Sequence, residues 1–420
     1  MSFEKIGLKA ETENGSKNEK IIFPHAESIL RLFKDKYKDE PEKAEVVRGI
    51  LYEFFDQEMK NTQIYNSKKF DSSFPYTFIN TADLSRKIFT KYSGKEIPEI
   101  SFEENAKKLE FVLGSGTMMK SGYQFTFVEE AMHQAIIALK RDLMAVQRGE
   151  NPADQKIYIL GLPINEFGKI SPEFSVKLKA DPFKAMAEIY SEFIESKMLE
   201  ERKTEIKNLD VRLYGVSMGA SFAAATGQKL IEDKAATQNQ EKESEPIPQL
   251  FIRMDAPVGL SKSKNKSWQI PVGYAAEIIY QSFLDPKFRL ADPKFMKQVK
   301  AVLNKRGIRE NMSEDDLKYK KEAIQSIIGH LRKGVEFNES LKVNKVSGNF
   351  DPLLFSVRNY LEEKKRREKS PNGLGKNIAP RSEKNRREFM INMTHTPAFF
   401  RDNELKRYYE VAKTLQNLGN

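Results

Sequence analysis

Apolar residues recur along this chain with two different periods, and the change between them divides it. From about Phe23 to Lys95 the period is helical: ESILRLFKDKY and VVRGILYEFFDQEM place apolar residues three and four apart. Pro41, in KDEPEK between them, stands where a second helix can start. The stretch SSFPYTFINTADLSRKIFTKY reads as a loop followed by a shorter helix. From Lys107 onward the pattern changes to short apolar runs. KLEFVLG, KIYILGLP, DVRLYGVSM and QLFIRMD predict buried strands. Between them lie FTFVEEAMHQAIIALKRDLMAV, DPFKAMAEIYSEFIESKMLEER and GASFAAATGQKLIEDK, which predict helices. In the first of these, Val128, Met132, Ile136, Leu139 and Leu143 share one side. The second opens on Asp181-Pro182, a good N-terminal signal.

Strands alternating with helices predict an α/β fold: a mostly parallel, doubly wound sheet with helices on both faces. Lys234–Pro246, KAATQNQEKESEP, is polar and reads as an exposed loop. Residues 262–340 carry helical patterns and no convincing strand, which predicts a helical insertion. LKVNKVSGNFD and REFMINMTHTP then supply two more strands, and DNELKRYYEVAKTLQNL a closing amphipathic helix. The resulting division is a flexible tail at 1–20, a helical N-terminal extension at 21–100, a core at 101–261 and 341–420, and a helical cap at 262–340.

Composition narrows the function classes. The 420 residues include 28 Phe and 15 Tyr, ample for a core despite 31% charged residues. The net charge of +10 arises from 70 basic against 60 acidic residues, well mixed, and no nucleic-acid module accompanies it. With no cysteine, thiolate catalysis, disulfides and Cys-based zinc sites are excluded. The polar N-terminus lacks a signal-peptide core, and no apolar run approaches the roughly 20 residues needed to span a bilayer. A soluble, cytoplasmic protein is expected.

The main chemical signal is Gly215-Val216-Ser217-Met218-Gly219 in LYGVSMGASFAAA. Small residues around a serine at this spacing permit a sharp strand-to-helix turn that presents the hydroxyl at the top of a sheet. The following helix aims its N-terminal N–H groups at the same spot. Ser217 is therefore the expected nucleophile.

From about Lys107 to Leu418 the order of elements around this motif resembles the α/β-hydrolase superfamily. The resemblance implies a serine nucleophile, then an acid after a later strand, then a histidine near the C-terminus. It also implies acyl transfer from an ester, thioester or amide to water, usually with no metal or organic cofactor. Of four histidines, His25, His133 and His330 fall in helical stretches, and His395 in MTHTPAFF stands where the family places its general base. The acid is Asp351 in VSGNFDPLLF, with Asp255 in FIRMDAPVG as the alternative. The oxyanion hole would use the Met218 amide and one from the loop Gly114–Met118, with Gly116 or Thr117 as donor. Leu113 stands where family members often carry a histidine.

The expected partner is a small acyl ester or thioester, and not nucleic acid. The basic run EEKKRREKSPNGLGKNIAPRSEKNRRE reads as a solvated loop, with peripheral membrane contact as its alternative. LGLPINEFGKIS has no nucleotide-binding pattern. Acyl transfer to another acceptor, and a non-catalytic hydrolase-like scaffold, remain the rival readings. Oligomeric state is not legible.

Overall fold

The computed structural model describes residues 24–93, 103–113, 129–150, 153–202, 208–216, 218–238, 250–255, 293–333, 343–348, 387–390 and 400–419. The proposed flexible tail at 1–20 lies outside them, as does the basic run at 362–388 except its last two residues, Arg387 and Glu388, which open a strand. The chain begins with helices α1 (Pro24–Lys36) and α2 (Pro41–Asn61), then strands β1 (Gln63–Asn66) and β2 (Ser73–Asn80) and helix α3 (Thr81–Ser93). Strand β3 (Glu103–Leu113), helix α4 (Glu129–Gln147) and strand β4 (Ala153–Leu160) follow. Next come α5 (Pro172–Ala180), α6 (Pro182–Arg202), β5 (Asn208–Val216), α7 (Met218–Gln238) and β6 (Leu250–Asp255). Helices α8 (Pro293–Lys305) and α9 (Glu314–Lys333) precede β7 (Val343–Gly348), β8 (Arg387–Met390) and the closing α10 (Phe400–Gly419).

The strands form one eight-stranded sheet in the order β1-β2-β4-β3-β5-β6-β7-β8. β2 runs antiparallel to both of its neighbours, and every pairing from β4 to β8 is parallel. That order, with a single reversed strand second from the edge, is the sheet of the α/β-hydrolase fold. All six strands expected from Lys107 onward are present. Two corrections concern what precedes them. Residues 73–80, expected as a loop, form β2, and Gln63–Asn66 pairs with it as β1. The nominal helical extension thus contributes two strands to the main sheet as well as three helices. Pro75 disguised the strand; it has no N–H to give, but its carbonyl accepts the Gly161 N–H at 2.8 Å. The other corrections are smaller. α7 continues to Gln238, into the expected loop at 234–246, and α5 is a helix that the periodicity did not predict.

Both faces of the sheet are buried, as the unbroken apolar runs require. Along β3 and β4, Leu109, Phe111, Leu113, Tyr158 and Leu160 face α5, α6, α7 and α9. Val112, Ile157 and Ile159 face the opposite way, toward α1–α4, α8 and α10. On the first face Phe193 of α6 meets Tyr65, Phe74, Phe111 and Tyr158 edge-on, with ring centroids 5.0 to 6.3 Å apart. Such pairs each contribute about 0.5–1.5 kcal/mol beyond burial.

The insertion between β6 and β7 straddles this sheet. Val299 and Leu303 of α8 enter the core of one face, whereas Ala323 and Ile327 of α9 enter the other. The chain between them crosses the loop that follows β4. There Lys300 pairs with Glu166 at 2.5 Å, and the Asn311 N–H donates to the Glu166 carbonyl at 2.9 Å. Beyond it Asp316 accepts the Ile170 N–H at 3.0 Å, and Lys320, itself buried, neutralises Asp316 at 2.5 Å. No helix among the described residues is long and apolar enough to cross a membrane.

One buried group works against the fold. Glu58 of α2 is fully buried on the apolar side of the helix that carries Phe54 and Phe55, and neither of its carboxyl oxygens has a hydrogen-bond partner. Burial raises its carboxyl well above the usual carboxylate range. The folded state therefore binds a proton that the unfolded chain releases, and stability falls as pH rises above the ordinary glutamate value. Glu58→Gln removes this dependence. Its melting temperature should exceed that of the wild type by several degrees at pH 8 and by little at pH 5, measured by thermal unfolding across that range.

Candidate active site

The site is built on the step from β5 to α7. The strand ends at Val216 and the helix begins at Met218, leaving one residue, Ser217, between them. Ser217 itself lies outside the described residues, but both sides of the step are described. A Cβ placed on Gly215 would collide with the Gly219 carbonyl and lie 2.6 Å from the Ala220 nitrogen. The first turn of α7 thus folds back onto the end of β5 so closely that only glycine fits. Ala220, Phe222, Ala223 and Ala224 are buried, and the three alanines let the helix lie tight against the sheet. The N–H groups of that first turn have no partner within the helix, and the positive end of the helix dipole points at position 217. Met218, whose amide is an expected oxyanion donor, is the first residue of α7 and 2% exposed.

The neighbouring strand ends line up along the same edge. Val216 pairs with Asp255, the last residue of β6, so the alternative acid sits one strand from the elbow. β7 ends at Gly348, three positions before Asp351, and β8 ends at Met390, five positions before His395. Asp351, His395, Gly116 and Thr117 lie outside the described residues, as does the side chain of Asp255. β3 ends at the buried Leu113, immediately before Gly114.

His330 has a different role from a base. Its Nδ1 lies 3.0 Å from the Ser326 carbonyl and its Nε2 3.1 Å from the Ala180 carbonyl. Both contacts are to oxygens that only accept, so the ring ties α9 to the end of α5. His25 and His133 fall on α1 and α4, with their side chains outside the described residues.

The β4–α5 loop, Gly161 to Ser171, is the best-defined wall at this edge. A Cβ on Gly168 would lie 2.7 Å from the Pro163 carbonyl carbon. Asn165 accepts the Phe167 N–H through its side chain at 3.0 Å, and Tyr190 donates to the Gly161 carbonyl at 2.9 Å. The insertion then clamps the loop through Glu166, Phe167 and Ile170. Sequence reasoning missed this clamp, because Glu166 and its partners Lys300 and Asn311 are distant in the chain and share no local pattern. Among the described residues, no group of three or more His, Cys, Asp or Glu could hold a metal ion.

No family model matches the chain. No curated protein matches it either. Among solved structures it is similar to a hyperthermophilic esterase from the archaeon Pyrobaculum calidifontis, at 12% identity over 93% of this chain and 97% of that one, with a TM-score of 0.36. It is also similar to carboxylesterase CesB (YbfK) from Bacillus subtilis, at 11% identity over 90% and 98%, TM-score 0.36. A third is epoxide hydrolase VrEH1 from Vigna radiata, at 8% identity over 84% and 99%, TM-score 0.36. The fold assignment rests on strand order and direction, not on these likenesses.

The close approach at Gly215 makes a specific demand. Gly215→Ala should destabilise the protein by at least about 2 kcal/mol, because the atoms in its way are backbone and cannot swing aside. Gly329→Ala is the control: a Cβ there meets nothing within 4 Å, and a mid-helix alanine should stabilise by about 0.5–1 kcal/mol. Denaturant unfolding of the two variants checks both signs.

Proposed function

We propose that this chain is a serine hydrolase that cleaves a carboxylic ester or thioester. The observation that carries the reading is the one-residue elbow at Ser217, set at the C-terminal end of a central parallel strand and at the head of a helix. In this reading the Ser217 hydroxyl attacks the carbonyl carbon while His395 takes its proton. Asp351 holds the imidazole in orientation and stabilises its charged form. The Met218 amide, with one from Gly116 or Thr117, binds the oxyanion. Collapse of the tetrahedral intermediate expels the alcohol or thiol, which receives the proton back from His395. Water, deprotonated by His395, then releases the acid from Ser217.

Chain geometry permits the three positions to meet. β5 and β8 are three strand spacings apart, about 14 Å. The five positions from Met390 to His395 span up to ~17 Å when extended. The insertion, clamped to the β4–α5 loop, would stand as a fixed wall on the β4 side of the pocket.

A second assignment of the acid is favoured by one observation, the direct pairing of Asp255 with Val216. A third reading keeps the acyl-enzyme and replaces water by another acceptor, since exclusion of water rather than the triad separates transfer from hydrolysis.

A fluorophosphonate probe should label the wild type and not Ser217→Ala; labelling that persists in the variant would remove Ser217 from the mechanism. On a panel of p-nitrophenyl esters, Asp351→Asn should lower kcat by about three to four orders of magnitude and Asp255→Asn much less. The reverse ranking would transfer the acid's role to Asp255.

A further inference from the structure

The opposite edge of the sheet carries a cavity that the hydrolase reading does not use. β2 ends at Asn80, which pairs with Lys156 near the start of β4, so this is the edge away from the elbow. Between α2, the end of β2 and the start of α3 lies a cavity of about 390 Å³, a volume typical of small-molecule sites. Lys60, Arg86 and Lys87 line it, against a single lining carboxylate, Asp83. Asn80 caps α3 there, its side-chain oxygen accepting the Ala82 N–H at 3.1 Å, so the positive end of a 13-residue helix also faces this edge. Gln57, 5% exposed, forms part of the wall, and its Oε1 has no hydrogen-bond partner. Phe78 meets this side of the sheet through its backbone, its carbonyl accepting the Asn61 side-chain N–H at 2.9 Å, while its ring packs with Tyr158 on the other face.

We infer that this cavity binds a small phosphate-bearing ligand, at a site separate from the esterase centre. Lys60, Arg86 and Lys87 all line it, and phosphate oxygens can take charge-assisted bonds from ammonium and guanidinium groups alike. The cations are held meanwhile by acids: Lys60 by Asp56 and Lys87 by Glu53, each at 2.6 Å, and Arg86 by Asp83 at 3.4 Å. Asp56 and Glu53 are not among the residues lining the cavity. The lysines and Arg86 are at least half exposed, and such pairs are worth at most about 1 kcal/mol, so a multivalent anion that engages three cations together can displace them. Phosphate here could belong to a nucleotide or to a free polyphosphate.

Calorimetric titration of the full chain with pyrophosphate and with AMP, each against chloride at matched ionic strength, tests the site and separates the two sources. Tighter binding of AMP assigns a nucleotide, and tighter binding of pyrophosphate assigns a polyphosphate. Arg86→Gln/Lys87→Gln should weaken binding by at least about tenfold while leaving fluorophosphonate labelling of Ser217 unchanged. Glu53→Gln, which frees Lys87, should tighten binding several-fold. Neither ligand binding to the wild type, or affinities indifferent to both variants, would overturn the assignment.

Discussion

The structure turns on how closely a helix can approach the strand that precedes it. At the β5–α7 step the backbone at Gly215 comes so near that of Gly219 and Ala220 that no side chain fits between them. This reversal within one residue is costly to make, and three features hold it. Val211, Leu213 and Tyr214 anchor the strand in both cores, and the alanines of α7 allow the helix to lie flat. Pairing with β3 on one side and β6 on the other fixes the strand's register. With both of its sides held in this way, the step from β5 to α7 is made within a single position, 217.

The same edge is reinforced from outside. The insertion after β6 sends one helix into each face, and the crossing segment is stitched to the β4–α5 loop by Lys300, Asn311 and Asp316, with Lys320 bracing Asn311 and Asp316 from within the insertion. The Asp316–Lys320 pair is almost wholly buried. Removing one partner of such a pair is far more damaging than replacing both, so it fixes the geometry of the crossing more than it adds stability. An insertion held in this way belongs to the scaffold at its α8–α9 end, unlike a lid joined only by its hinges.

The legible parts of the molecule were those encoded locally. Gly215-Val216-Ser217-Met218-Gly219 could be read because every residue that the turn needs lies within five positions. β3 to β6 could be read because each contains a short apolar run, which along β3 and β4 is buried on both faces. β2 could not. Its sequence SFPYTFIN contains a proline that argues against a strand, and only the Pro75 carbonyl bond to Gly161 shows why it is tolerated. The four residues of β1 are half exposed and carry no periodicity of their own. α5 is short, and its start depends on Ser171 capping the Phe174 N–H, a signal too common to stand out. The expected partners of Ser217 rest on strand order alone, since nothing local links residue 217 to residues 351 and 395.

The two edges of the sheet solve opposite electrostatic problems. At the C-terminal edge the first turn of α7 presents the positive end of a helix, and no added cation is needed to make that end electropositive. At the other edge, charged residues on the strands enter the protein and must be neutralised where they stand. Asp142 of α4 is fully buried; burial lifts its carboxyl to about 6, while Arg141 and the Ser85 hydroxyl pull it down. Arg141 also reaches Gln155 at 2.6 Å, and Gln155 in turn donates to Glu110 on β3 at 2.9 Å. Lys108, crowded by Arg141 and Arg212 and partly desolvated, is held below the usual lysine range. Charges at this edge are thus absorbed by one another in chains that cross from helix to strand. The elbow edge does not need such a network. What it presents instead are the backbone dipoles of the first turn of α7.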